Sequence, residues 1–258
     1  MPTFDKGPSI PVYDHFASLP SYAAHQSLFW YDWGPVFYRG RLDRSARLLC
    51  IASDPGPTER IAGRTLVGDA GQRVQGFLKK LGLTRSYLCI NAFAYALFPS
   101  AASSATAMLH EPEHVTWRNT LISLTTGPSL QAVVAFGVQA QEAVQDWDNP
   151  GSLPVVPLPH PSSRNATTLA TQWRDGVTQL RGIVTPDWDG DATGPNYGAT
   201  LQEPDYSPIP RGDLPFGVPD FLGDDAWGRT GSPRHNNSVD RPQTDFKHTL
   251  VWQAPASA

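Results

Sequence analysis

The sequence predicts an α/β fold, a three-layer αβα sandwich around a four-stranded parallel sheet. Two observations carry this reading. Four short apolar runs, at residues 47–53, 86–93, 130–136 and 153–158, have the length of buried strands. Between and after them lie segments with apolar residues at helical spacing, at 72–81, 110–125, 138–147 and 166–183. Strands alternating with helices imply parallel pairing and right-handed crossovers.

Taken in order, residues 1–11 read as a loose arm. Residues 23–33 are rich in aromatics, with Phe29, Trp30, Tyr31 and Trp33. They are expected to pack a preceding helix against the sheet, with base stacking as the alternative. Residues 35–39 suit a short edge strand with Pro35 at its start. The first central strand breaks at Asp54, Pro55 and Gly56. Pro55 offers no backbone donor and Gly56 permits positive φ, so the strand ends there. Gly68, Asp69, Ala70 and Gly71 make a small-residue turn into the helix at 72–81, whose apolar face is Val74, Phe77, Leu78 and Leu81. Free N–H groups at such a helix start attract phosphate or carbonyl oxygen. Gly82 stops that helix, and the second central strand follows.

Residues 101–107 are small and polar, a flexible loop or a weak helix start. The next helix carries Trp117, Leu121 and Leu124 on one face. Gly137 ends the third strand, and Pro159, His160 and Pro161 end the fourth. The last helix has a stripe of Leu169, Trp173, Val177 and Leu180. The expected organisation is an N-terminal arm and helix (1–35), an α/β domain (36–185) and a Pro-, Gly- and Asp-rich tail (186–258). Within the tail, 228–243 is expected to be disordered. The tail is either inert or a cover for the sheet or a groove. There is no internal repeat and no Walker or dinucleotide fingerprint.

The 258 residues are 40% hydrophobic, enough for a sizeable core, and only 17% charged, with 25 Pro and 22 Gly. The net charge of −4 argues against strong non-specific nucleic-acid binding. It is unevenly spread. Residues from 186 onward carry 11 acidic and 5 basic side chains, net −6, against +2 before them. A weakly basic body suits an enzyme touching few phosphates, though an ordinary soluble surface fits as well. Cys50 and Cys89 both sit in apolar strand patterns and are expected as reduced core residues, with a disulfide between adjacent strands as the alternative. No signal peptide is visible at the start, and no apolar run reaches the ~18 residues of a membrane span. A cytoplasmic protein without membrane association is expected.

The stretch 48–71, LLCIASDPGPTERIAGRTLVGDAG, resembles the first motif of the uracil-DNA glycosylase superfamily. The iron–sulfur branch of that family reads roughly G-E-x-P-G-x-x-E-x-x-x-G-R-P-F-V-G-x-A-G. Pro55, Gly56, Glu59, Gly63, Arg64, Val67, Gly68, Ala70 and Gly71 match it without gaps. Two further segments agree in order. Residues 87–91, ending in Asn91, resemble the strand that ends in the family's base-reading Asn. His160, Pro161, Ser162 and Ser163 resemble the late H-P-S-P loop. The resemblance covers about residues 36–184 and implies the family's αβα fold. The iron–sulfur branch needs four Cys ligands and the chain has two, so no cluster is expected.

The resemblance implies hydrolysis of the N-glycosidic bond of a flipped base in DNA, with no metal or cofactor. Such cleavage makes a cationic sugar and an anionic leaving base, and the site must stabilise both. Asp54 stands where the G-Q-D-P-Y-H branch has its water-orienting aspartate, and the motif context favours that role over an Asx-type cap on the turn. His160 stands where the family donates to the base carbonyl. Asn91 offers donor and acceptor to a base edge, or caps a strand-end turn. Gly56, Leu66 and Gly68 are expected to shape the base pocket. Leu66 replaces the family's stacking Phe, which leaves room for a bulkier base. Asp69 adds a carboxylate where an Arg is usual. Arg64 is read as a phosphate contact or a salt-bridge partner of Glu59. Ser162, Ser163 and Arg164 are expected on the DNA, Arg164 as a wedge or as a plain surface residue. The substrate expected is uracil in DNA, acted on by a monomer. The alternatives are a bulky modified pyrimidine, such as a hypermodified cytosine, or a non-catalytic nucleic-acid-binding role.

Overall fold

A computed structural model describes residues 7–214, and beyond them only two short paired strands, Val239–Asp240 and Val251–Trp252. The segment 228–243, expected to be disordered, lies outside the described residues apart from the first of those strands.

The central sheet contains β1 (Tyr38–Gly40), β2 (Leu48–Ala52), β3 (Tyr87–Asn91), β4 (Ala132–Phe136) and β5 (Val155–Leu158), in the order β1-β3-β2-β4-β5. The four strands β2 to β5 are parallel, as expected. The sheet has a fifth strand: β1 joins β3 antiparallel, pairing Tyr38 with Ile90, so the sheet is mixed. The predicted edge strand begins at 38 rather than 35. Gly40, at φ +100, ends it, and a Cβ there would stand 2.4 Å from the Tyr87 carbonyl oxygen. Every residue of β2, β3 and β4 is buried, which explains their unbroken apolar runs.

The helices are α1 (Ile10–Ala17), α2 (Pro57–Ala62), α3 (Asp69–Lys80), α4 (Ala102–Ala105), α5 (Pro112–Thr125), α6 (Val138–Ala143) and α7 (Ala166–Arg181). Leu48, Cys50 and Ala52 face a core shared with Phe77 of α3 and with Trp173 and Val177 of α7. Leu49, Ile51 and Leu88 face the opposite core, with Val12 of α1, Leu121 of α5 and Ala140 of α6. Cys50 and Cys89 are register partners on β2 and β3, both buried and both free thiols.

Three stretches refine the sequence reading. The arm at 1–11 contains the start of α1, which buries only Val12 and Phe16, too few positions to show a period. Residues 23–33 form two 3₁₀ turns, Ala23–Leu28 and Tyr31–Trp33, that follow α1; Gly34, at φ +75, closes the second. The six-residue α2 is absent from the sequence-based expectation, being too short for periodicity. Its signature is Pro57 in the first turn with Glu59 closing back on Gly56.

Residues after 185 pack onto the domain. Asp187 is buried and accepts from the backbone N–H groups of Thr84 (2.8 Å), Arg85 (2.9 Å) and Ser86 (3.0 Å). Gly76 of α3 lets the chain at Asp205 approach so closely that a Cβ would stand 1.8 Å from that residue's carbonyl oxygen. Among the described residues no helix is long and apolar enough to cross a membrane.

Candidate active site

The C-terminal edge of the parallel sheet collects the singled-out polar residues in strand order. Asn91 ends β3, Asp54 lies two residues past β2, and His160 lies two residues past β5. Pro55 and Gly56 after β2, and Pro159 and Pro161 around His160, keep those side chains out of the ladder. Ligands of open α/β sheets bind beyond this edge.

Asp54 is half-buried, and its Oδ2 accepts from the backbone N–H of Leu97 at 3.0 Å. That bond fastens the loop after β3 to the end of β2. The two chains already run together there, because Ala92 N donates to Ala52 O and Phe93 N to Ser53 O. Asn91 is buried at 9% exposure. Its Oδ1 accepts from the Thr65 hydroxyl at 2.9 Å, while its Nδ2 is buried without a hydrogen-bond partner among the described residues.

His160 is half-buried, and its Nδ1 accepts from Ser162 N–H at 3.1 Å. The neutral ring therefore carries its proton on Nε2. Ser163 N–H donates to His160 O at 2.8 Å, closing the turn. Gly137, at φ +86, makes room: a Cβ there would stand 2.8 Å from the Cβ of His160. Arg73 of α3 donates to Pro161 O at 2.5 Å and pairs with Asp69 at 3.2 Å. The carboxylate of Asp69 thus serves an arginine one helical turn on, and that arginine holds the His160 loop.

Glu59 joins the two halves of the 48–71 stretch. It is 7% exposed, and its Oε2 accepts from Gly56 N (2.9 Å) while its Oε1 accepts from Val67 N (2.8 Å) and Gly68 N (3.0 Å). With its oxygens on these three amides, Glu59 is not the ion-pair partner of Arg64. The guanidinium of Arg64 lies 4.4 Å over the Tyr38 ring. Gly56 has no room for a Cβ, which would meet Glu59 Oε2 at 2.7 Å, and at Gly68 a Cβ would meet Thr58 Oγ1 at 3.2 Å. Leu66 is 5% exposed, has φ +54, and belongs to the core cluster that includes Ala52, Val74 and Phe77. Ser162 and Arg164 are exposed and Ser163 half-buried on the loop after His160.

Sequence reasoning missed Thr65, Arg73 and Gly137 as parts of this edge. It marked Gly137 only as a strand end. The signal for Glu59 was present in Gly-Pro-x-Glu, the start of a capped helix.

Two other features have the outward form of sites. Glu111, Glu113 and His114 have ligand-type atoms within 4.8 Å of one another. Both carboxylates sit at the start of α5, where the helix dipole favours negative charge without any cation. A cleft of about 700 Å³ lies near the C-terminal end of α3, lined by Lys79, Thr84, Asp189 and Asn196 among others. None of the predicted site residues lines it.

No curated protein matches the chain. The family model described as the uracil DNA glycosylase superfamily matches residues 39–178, more than half of the sequence and a span that holds Asp54, Asn91 and His160. With this match added to the αβα architecture and to the ordered motifs on the strand ends, the chain belongs to the uracil DNA glycosylase superfamily.

Proposed function

We propose that this protein is a monofunctional DNA glycosylase that removes uracil from DNA by hydrolysing its N-glycosidic bond. The observation that carries the reading is the Asn91 amide. Its oxygen is held by Thr65, and its buried Nδ2 is an unmet donor at the sheet edge. Burying a donor without a partner is costly, so this NH₂ group gains from any acceptor, an ordered water or a ligand, that reaches it. A pyrimidine carbonyl is a fitting acceptor once the base is flipped out of the stack.

The neighbouring residues suit the rest of the reaction. The carboxylate of Asp54 orients the attacking water and balances the positive charge that develops on the sugar. The Nε2–H of His160 donates to the carbonyl oxygen on which the departing base gathers negative charge. Gly56 and Gly68 keep the pocket walls at backbone height. Ser162, Ser163, Arg164 and Arg64 contact the DNA strand. The protein works as a monomer in the cytoplasm. A bulkier pyrimidine is the second substrate class, motivated by Leu66, which offers no aromatic face.

The test is single-turnover incubation with oligonucleotides bearing uracil or other bases, followed by alkaline cleavage at abasic sites. Wild-type protein is expected to release uracil, and Asp54→Asn to do so about 10²-fold more slowly or worse while remaining folded. Absence of abasic product on every substrate would sink the reading, and undiminished cleavage by the mutant would remove Asp54 from the mechanism.

A further inference from the structure

Thr65 stands where the motif it resembles has proline, a residue with no hydroxyl. It is fully buried. Its backbone is held on both sides: its N–H donates to Tyr38 O at 3.2 Å, and its carbonyl accepts from Arg39 Nε at 3.2 Å. Arg39 is itself fixed by Gln75 at 2.8 Å and Asp213 at 3.0 Å. The Thr65 hydroxyl is therefore delivered to one place, 2.9 Å from Asn91 Oδ1.

An amide can turn over and exchange its oxygen for its NH₂ with little change of shape. The chemistry offered to a ligand then inverts. With Oδ1 toward Thr65, the hydroxyl donates and the open group of Asn91 is a donor. With Nδ2 toward Thr65, the hydroxyl proton would lose the acceptor it has among the described residues, inside a fully buried site. Leaving a buried donor unmet biases the first orientation by roughly tenfold to a hundredfold.

We infer that Thr65 is a specificity-determining residue: it locks the Asn91 amide with its NH₂ toward the pocket, so that bases with a carbonyl at the edge Asn91 reads are accepted and bases with an amino group there are rejected. This role rests on the proposed glycosylase function and adds the residue that sets its choice between 4-keto and 4-amino pyrimidines. It also disfavours cytosine derivatives that keep a 4-amino group. Thr65 need not touch the base, since it acts through Asn91.

The test compares single-turnover release of uracil and of cytosine from otherwise identical oligonucleotides by wild type, Thr65→Val and Thr65→Ser. Valine keeps the shape and removes the hydroxyl; serine restores it. Thr65→Val is expected to lower the uracil-to-cytosine rate ratio roughly tenfold to a hundredfold, and Thr65→Ser to stay near the wild-type ratio. A general packing defect would slow both bases together and leave the ratio unchanged. If Thr65→Val does not fold, Thr65→Ala carries the same expectation for the ratio. If wild type releases uracil and the hydroxyl-free variant keeps its ratio, the inference is wrong and the glycosylase reading stands. If wild type releases neither base, uracil is not the substrate and the inference falls with that assignment; the glycosylase reading itself is decided by the wider set of bases.

Discussion

Arg39 and Asp213 lie 174 positions apart in the chain and 3.0 Å apart in space, both almost fully buried. The same Asp213 Oδ2 accepts from the Tyr87 hydroxyl at 2.6 Å. Burial by itself disfavours the guanidinium charge, yet Cys89, Tyr87 and Asp213 around it raise its pKa above the usual arginine value. The segment after residue 185 is thus tied into the domain by a charge pair beneath the Thr65 loop.

Asp213→Asn leaves the Arg39 charge buried without its counter-ion. The expected loss is about 3–5 kcal/mol of stability, the range for breaking a buried pair from one side. Urea unfolding checks it. A loss under about 1 kcal/mol would show that Arg39 finds compensation elsewhere.

Glu59→Gln replaces an acceptor-only carboxylate by an amide facing three N–H donors. At least one of Gly56, Val67 and Gly68 then loses its acceptor. Stability is expected to fall by about 1.5–3 kcal/mol, the value of hydrogen bonds to a charged group. Hydrogen exchange at those three amides should accelerate more than exchange in β4.

Gly137→Ala places a methyl 2.8 Å from His160 Cβ and forces alanine into a φ of +86. The backbone strain alone costs about 1–3 kcal/mol. The larger effect is expected on base release, because a ~1 Å displacement of a catalytic group can cost about 10²-fold. Thermal melts and single-turnover rates together separate the two. Unchanged rates would mean that the His160 loop moves without consequence.

Asp187 provides a pH test. Burial would raise its pKa, but hydrogen bonds from the Ser86 side chain and the backbone of Arg85, Ser86 and Thr84 outweigh it and hold the carboxyl below the usual aspartate value. A lowered native pKa means the group stabilises the fold above its unfolded value of 3.8 and loses that contribution as pH falls through the native value. Asp187→Asn should therefore be less stable than wild type by about 1–3 kcal/mol at pH 7. The gap should narrow below about pH 4. A gap independent of pH would mean that the charge plays no part.

Much of the fold was legible because its signals are local. The apolar runs of β2, β3 and β4 report burial on both faces, and Pro or Gly marks where β2, β4 and β5 stop, so local pattern placed Asp54 and His160 at strand ends. No Gly or Pro follows Asn91, the apolar run continues to residue 93, and its place at a strand end rested on the family resemblance. Strand ends on one side of a parallel sheet converge by topology, which brings Asn91, Asp54 and His160 to one edge. The short elements were less visible. α1 buries two residues, α2 has six residues in all, and β1 has three, too few for any period to stand out.

What the sequence by itself determined is the four strands β2 to β5, their parallel pairing and the polar residues that follow them, since these depend on periodicity and turn chemistry within a few residues. Only the tertiary structure decided what holds those residues in place. Thr65 meets Asn91, Gly137 makes room for His160, Leu97 binds Asp54, and Asp213 neutralises Arg39 across contacts that span 23 to 174 positions of chain. No local pattern encodes such pairs. They exist because sheet stacking and loop closure bring distant segments to a few ångströms, and a buried polar group there is stable only where its partner has arrived.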